Sequence, residues 1–172
     1  ISDRGEIKNI TVDDHRGVAR VETKEEKPLA EEMVFKRLIT SGCGAAGAFY
    51  RGADVQSVAR VDSKTQISAD AVFHLVKEFQ HRSQLYRATG GVHSAALADG
   101  KEVIVFAEDI GRHNALDKIF GECLVKGIPL ADSIVITSGR ISSEMLLKVG
   151  KRGVPIIISA AAPTSLGVKL AV

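Results

Sequence analysis

Only two cysteines, Cys43 and Cys123, occur in the 172 residues of this chain, far apart and in different contexts. That scarcity excludes a disulfide framework and makes a reducing cytoplasm the expected compartment. An excess of charge of either sign is lacking too: 23 Lys and Arg stand against 21 Asp and Glu, a net charge of +2. No nucleic-acid or membrane surface is expected on bulk electrostatics, so any basic site has to be local. Long apolar runs are missing. The longest, Val154 to Ala162, has the length of a buried strand and falls far short of the roughly 20 residues that cross a bilayer. The opening residues, Ile1 to Asn9, carry Asp3, Arg4, Glu6 and Lys8 and do not have the pattern of a signal peptide. There is no internal repeat and no low-complexity tract. What the chain does have is 45% hydrophobic and 26% charged residues, the balance of one ordinary globular domain with a real core.

Ile7 to Val12 and Val18 to Glu22 alternate apolar and polar residues around Asp13-Asp14-His15-Arg16-Gly17, which predicts a hairpin. A charged connection, Glu22 to Glu32, leads to the apolar stretch Met33 to Ile39 and the glycine-rich segment Ser41 to Gly47. From Ser68, a cap residue, Val72, Leu75, Val76, Phe79 and Leu85 recur at helical spacing. Strands are then expected at Val92 to Ala98, Val103 to Phe106, Ser133 to Thr137 and Val154 to Ser159. Helices are expected at Ala115 to Lys126, Ser142 to Arg152 and from Ser165 on. This alternation predicts a layered α/β domain with a mixed, largely parallel sheet, over 33–172, preceded by a small β element over 1–32. Ligands of such sheets bind at the carboxyl ends of strands.

Cys43 lies in Thr40-Ser41-Gly42-Cys43-Gly44, where flanking glycines remove side-chain cover. A thiolate placed there can attack sulfur, carry a persulfide or bind a metal; the alternative is a small buried hydrophobe. Cys123 falls in the helical pattern Leu116, Ile119, Phe120, Cys123, Leu124 and reads as core. The Cys43 loop also satisfies Gly42-x-Gly44-x-x-Gly47, with Asp62 where a ribose-binding acid would stand. The match to a nicotinamide site is weak, because Arg51-Gly52-Ala53-Asp54 interrupts the turn that follows. No Gly-Lys-Ser/Thr completes a Walker phosphate loop.

Glu108-Asp109-Ile110-Gly111-Arg112-His113-Asn114-Ala115-Leu116-Asp117-Lys118 follows an apolar strand and enters a helix. Such a density of ionisable and amide groups at a strand end points to a ligand crevice; the bland reading is a helix start capped by Asp109 or Asn114. Thr137-Ser138-Gly139-Arg140-Ile141-Ser142-Ser143-Glu144 and Ser159-Ala160-Ala161-Ala162-Pro163-Thr164-Ser165 have the same character. Ser138, Ser142 and Thr164 offer hydroxyls at helix starts, and Arg112 and Arg140 offer charge, so that together these junctions form a candidate anion-binding rim. His93, after Gly90-Gly91, opens a strand and is either structural or part of that rim. His-x-Glu and Pro-Cys-x-x-Cys are both absent, so no metal site is expected.

Five blocks, Thr40-Ser41-Gly42-Cys43-Gly44, Ala88 to Leu97, Ala107 to Lys118, Ser138 to Met145 and Ala162-Pro163-Thr164-Ser165, resemble in order and spacing the signature blocks of the FdhD sulfurtransferase family, over about Leu38 to the end. The resemblance implies a three-layer α/β/α core related to the cytidine deaminase fold, without its zinc, in a homodimer. It implies a sulfur carrier that takes a persulfide sulfur from a cysteine desulfurase and passes it to the molybdenum bis-guanine-dinucleotide cofactor, for formate dehydrogenase. Cys43 would hold the persulfide. His93, Arg112, His113, Asn114, Ser138, Arg140, Ser142 and Thr164 would bind the cofactor, or a guanine nucleotide in the same site. The family's loop is Cys-x-x-Cys, and its second cysteine is Ala46 here, which removes an intramolecular relay between two loop thiols. Family members also usually continue past the last helix into a segment that helps to bind the cofactor, and this sequence does not include it. Two alternatives follow: a chaperone that binds the cofactor without sulfur chemistry, and a nicotinamide-dependent enzyme using the glycine loop.

Overall fold

The computed structural model describes residues 3–25 and 60–171. The Cys43 loop, its glycine fingerprint and the boundary expected at residue 32 lie outside the described residues.

The first element is the expected hairpin, β1 (Ile7–Asp13) antiparallel to β2 (Val18–Thr23). The Asp13 carboxylate accepts the Arg16 amide at 3.1 Å, and Gly17 takes φ +62°, a left-handed conformation that glycine adopts without steric cost.

A four-stranded sheet holds the rest together: β3 (His93–Ala98), β4 (Val103–Asp109), β5 (Ile134–Thr137) and β6 (Ile156–Ser159), in the order β4-β3-β5-β6. The sheet is mixed, as expected, but among the described residues it is not largely parallel: β3 is antiparallel to both β4 and β5, and only β5 and β6 pair in parallel. The reason is local. Only residues 99–102 join β3 to β4, too few for a crossover, and the Asp99 carboxylate accepts the amides of Lys101 and Glu102 to close a tight turn. Strands β4, β5 and β6 nevertheless run the same way, so their carboxyl ends and the amino end of β3 share one edge of the sheet.

Helices cover both faces. Helix α1 (Ala69–Arg82) starts at Ser68, whose hydroxyl accepts the Ala71 amide at 3.2 Å, and ends on His81 and Arg82, which suit its negative end. Its Leu75 and Phe79 pack on Ala96, Ala98, Ile134 and Ile136. The opposite face, Ala95, Leu97, Val105 and Val135, receives Leu116, Ile119 and Cys123 of α3 (Arg112–Lys126) and Met145 and Val149 of α4 (Ser143–Lys151). Residues of β3 and β5 alternate between these faces as a pleated strand requires. In β4 a bulge breaks the alternation, since Ala98 pairs with Val103 and Leu97 with Val105, and Ile104 between them is left partly exposed. A short α5 (Ser165–Leu170) follows β6.

The apolar spacing that predicts one helix through Leu85 is interrupted at Ser83. A second helix, α2 (Gln84–Thr89), begins there, and Leu85 is 47% exposed. Buried Ser83 directs its hydroxyl to the Phe79 carbonyl and to Ser94, both at 3.0 Å, and turns the chain out of α1.

Candidate functional site

The sheet edge where β4, β5 and β6 end collects the chemistry-bearing blocks. His93 opens β3 and pairs in register with Asp109, the last residue of β4. Ser138 follows β5, and its hydroxyl lies 3.2 Å from His93 Nδ1 and accepts the Ser94 amide at 2.9 Å. The Ser138 amide in turn donates to the Ser94 carbonyl at 3.0 Å. The β5–α4 turn is thereby fastened to the start of β3.

Helix α3 begins at Arg112, three residues earlier than its apolar pattern predicts. Neither Asp109 nor Asn114 is its N-cap. Gly111 holds that position, and the Asp109 carboxylate accepts the Gly111 amide at 2.9 Å and the Asn114 side-chain amide at 3.1 Å. Asp109 also pairs with Lys118 at 2.7 Å. Burial works against its ionisation, but Lys118, the Gly111 amide and Asn114 outweigh it and hold the carboxyl below its ordinary value. Arg112, His113 and Asn114 therefore form the first helical turn, beside the sheet edge. Asn114 serves Asp109 rather than open space.

Arg112 lies against the β5–α4 turn at Gly139. Burial first, then the Arg112 charge, pushes His93 below its ordinary pKa. His113 is lowered by burial, then by Arg112 and Lys148, with Asp117 opposing. Its Nε2 sits 3.5 Å from Glu144 Oε2. That distance would suit an ion pair, yet the lowered pKa makes a neutral imidazole the dominant form at pH 7, so the contact is a salt bridge only in acid.

Ser142 and Thr164 are helix caps. The Ser142 hydroxyl accepts the Met145 amide at 3.4 Å, and the Thr164 hydroxyl accepts the Gly167 amide at 3.1 Å. Thr164 also donates its amide to the Ile141 carbonyl at 3.0 Å, which brings the start of α5 onto the β5–α4 turn. Arg140 is exposed on that turn. The structure thus brings His93, Arg112, His113, Ser138 and Arg140 to one edge, with Ser142 and Thr164 beside them in capping roles. Cys43 lies outside the described residues. Cys123 is 1% exposed, and burial, with Glu122, raises its thiol pKa; it is the core residue its helical position predicts.

Two features escape a reading of the sequence. Glu144 and Lys148, on α4, face α3: Lys148 pairs with Asp117 while Glu144 faces His113. Their spacing of four on one helix face was the available signal. On the other side of the sheet, Glu108 accepts the Leu85 and Tyr86 amides at 3.1 and 3.0 Å and the Ser94 hydroxyl at 3.3 Å, capping α2 with a carboxylate.

A family model described as the FdhD/NarQ family matches residues 1–172. This chain belongs to the FdhD/NarQ family. It is 46% identical over 166 residues to the sulfur carrier protein FdhD of Bacillus pumilus, covering 96% of this chain and 63% of that protein. To the protein of the same name in Bacillus subtilis it is 43% identical over 166 residues, with the same coverage of 96% and 63%. To that of Staphylococcus aureus it is 41% identical over 168 residues, covering 98% and 63%. The chain therefore spans about 63% of the length of the curated relatives it matches. Among solved structures, the crystal structure of a candidate formate dehydrogenase accessory protein from Desulfotalea psychrophila superposes with a TM-score of 0.75 at 29% identity, over 99% of this chain and 62% of that one.

Proposed function

We propose that this chain carries sulfur for formate dehydrogenase maturation, holding a persulfide on Cys43 and presenting it to a molybdenum bis-guanine-dinucleotide cofactor bound as substrate at the sheet edge. The observation that carries the reading is the convergence of four separate signature blocks on that one edge, in a member of a family whose relatives are named sulfur carriers. Arg112 and Arg140 are suited to phosphate oxygens, and neutral His93 and His113 can accept or donate hydrogen bonds beside them. A guanine nucleotide alone would use the same groups.

In the loading step the Cys43 thiolate attacks the outer sulfur of a cysteine desulfurase persulfide. A new S–S bond forms on Cys43, and the desulfurase thiolate leaves. Releasing that sulfur as sulfide needs a second thiol to supply two electrons and close a disulfide. Ala46 cannot supply it and buried Cys123 is badly placed to, so the second thiol comes from outside this loop. The setting we propose is cytoplasmic, with a homodimer, formate dehydrogenase as recipient and a core arranged as in cytidine deaminases. The helices on both faces of a mixed sheet support that arrangement.

Intact-protein mass spectrometry after incubation with a cysteine desulfurase and cysteine tests the proposal. The expected result is a reductant-reversible gain of one sulfur in the unaltered chain and in Cys123→Ala, and none in Cys43→Ala. Ala46 favours a second reading, a cofactor-binding chaperone without sulfur transfer. Full activation of formate dehydrogenase by Cys43→Ser would select it.

A further inference from the structure

Gly139 follows Ser138 at the end of β5, and its position raises the question of why no side chain stands there. Its φ is not in the left-handed region, unlike that of Gly17, Gly90, Gly100, Gly127 and Gly153, so the backbone conformation does not demand glycine. Space does. A Cβ built on Gly139 would lie 2.8 Å from Cβ and 3.0 Å from Cδ of Arg112. The nearer atom is fixed to the first turn of α3, so no rotation of the Arg112 side chain relieves the overlap; the helix start and the turn have to move apart. Movement of the turn would cost the hydrogen bonds that hold Gly139 from both sides. Its amide donates to Thr137 Oγ1 at 3.1 Å, and its carbonyl accepts the Ser159 hydroxyl at 2.8 Å.

We infer that Gly139 is a positioning residue: its missing side chain seats Arg112 against the β5–α4 turn beside Ser138 and His93, and so sets the affinity of the rim for the phosphates of a guanine nucleotide. The affinity claim rests on the phosphate-binding reading above; the placement of Arg112 does not.

Guanosine diphosphate binding, measured by calorimetry on the full chain, separates the two. Gly139→Ala and Arg112→Ala are each expected to weaken binding roughly ten- to hundredfold, the loss that goes with one charge-assisted hydrogen bond. The double variant Gly139→Ala with Arg112→Gly, in which the facing Cβ is gone, is expected to bind no more weakly than Arg112→Gly alone, because the two act through one contact. No binding by the unaltered chain would overturn the phosphate-rim reading. Binding that Arg112→Ala weakens and Gly139→Ala leaves unchanged would overturn the inference alone, as would additive losses in the double variant. A readout independent of the nucleotide is the NMR titration of His93, which the Arg112 charge depresses. Gly139→Ala should shift it upward in the same direction as Arg112→Ala, and an unmoved titration would count against the inference. If Gly139→Ala does not fold, the pair Gly139→Ala with Arg112→Gly, which removes the facing Cβ, should restore folding, and failure to do so would equally overturn it.

Discussion

At the residue scale, two imidazoles link the site to solution conditions. His113 is held below its ordinary pKa of 6.5 by burial and by its cationic neighbours Arg112 and Lys148. The unfolded chain therefore takes up the proton first as pH falls through about 6.5, the native state does not, and stability declines until the pH drops under the folded value. His93 contributes with the same sign. Urea denaturation between about pH 8 and about pH 5 should show this slope, and His113→Gln should flatten it; an unchanged slope in the variant would remove His113 as its source. Much of this residue-level chemistry is legible in the sequence, because the block from Glu108 to Lys118 is too polar for the end of a buried strand. What each member does is not. Asp109 and Asn114, read as alternative caps, act together with the Gly111 amide, and the hydroxyls of Ser142 and Thr164, read as caps or ligands, accept amides at helix starts.

At the scale of elements, hydrophobic periodicity locates the strands and helices of the described core, and misses where contacts between elements decide. The break at Ser83 is of this kind, since its hydroxyl partners lie in α1 and β3 and the carboxylate that caps α2 comes from β4. The direction of β4 was within reach, because residues 99–102 are too short for a crossover; the adjacency of β3 and β5 was not, because no local signal encodes strand order. Glu108 joins three elements, and Glu108→Ala should cost about 1–3 kcal/mol in denaturant unfolding, through two backbone amides and one hydroxyl left without their acceptor. Faster hydrogen exchange confined to Leu85 and Tyr86 should accompany it. A variant as stable as the parent would show that water replaces the carboxylate without loss.

At the scale of the molecule, stability is unevenly shared. β3 has a strand on each side and a helix layer on each face, with Ala95, Ala96, Leu97 and Ala98 fully buried. Among the described residues β1 and β2 pair only with each other, and they leave Ile10, Val12 and Val21 exposed; a two-stranded sheet alone is marginal in water. Native-state hydrogen exchange should find the slowest amides in β3 and β5 and the fastest strand amides in β1 and β2, and the reverse order would contradict this division. The interposed place of β3 also bears on how the chain is made. β3 leaves the ribosome before either strand that flanks it. β4 follows within one tight turn and covers one side at once, but the other stays bare until α3 and then β5 have been synthesised. The nascent domain passes through a stage with a strand of its buried core half clad, a stage that lasts as long as translation takes to reach Ile134.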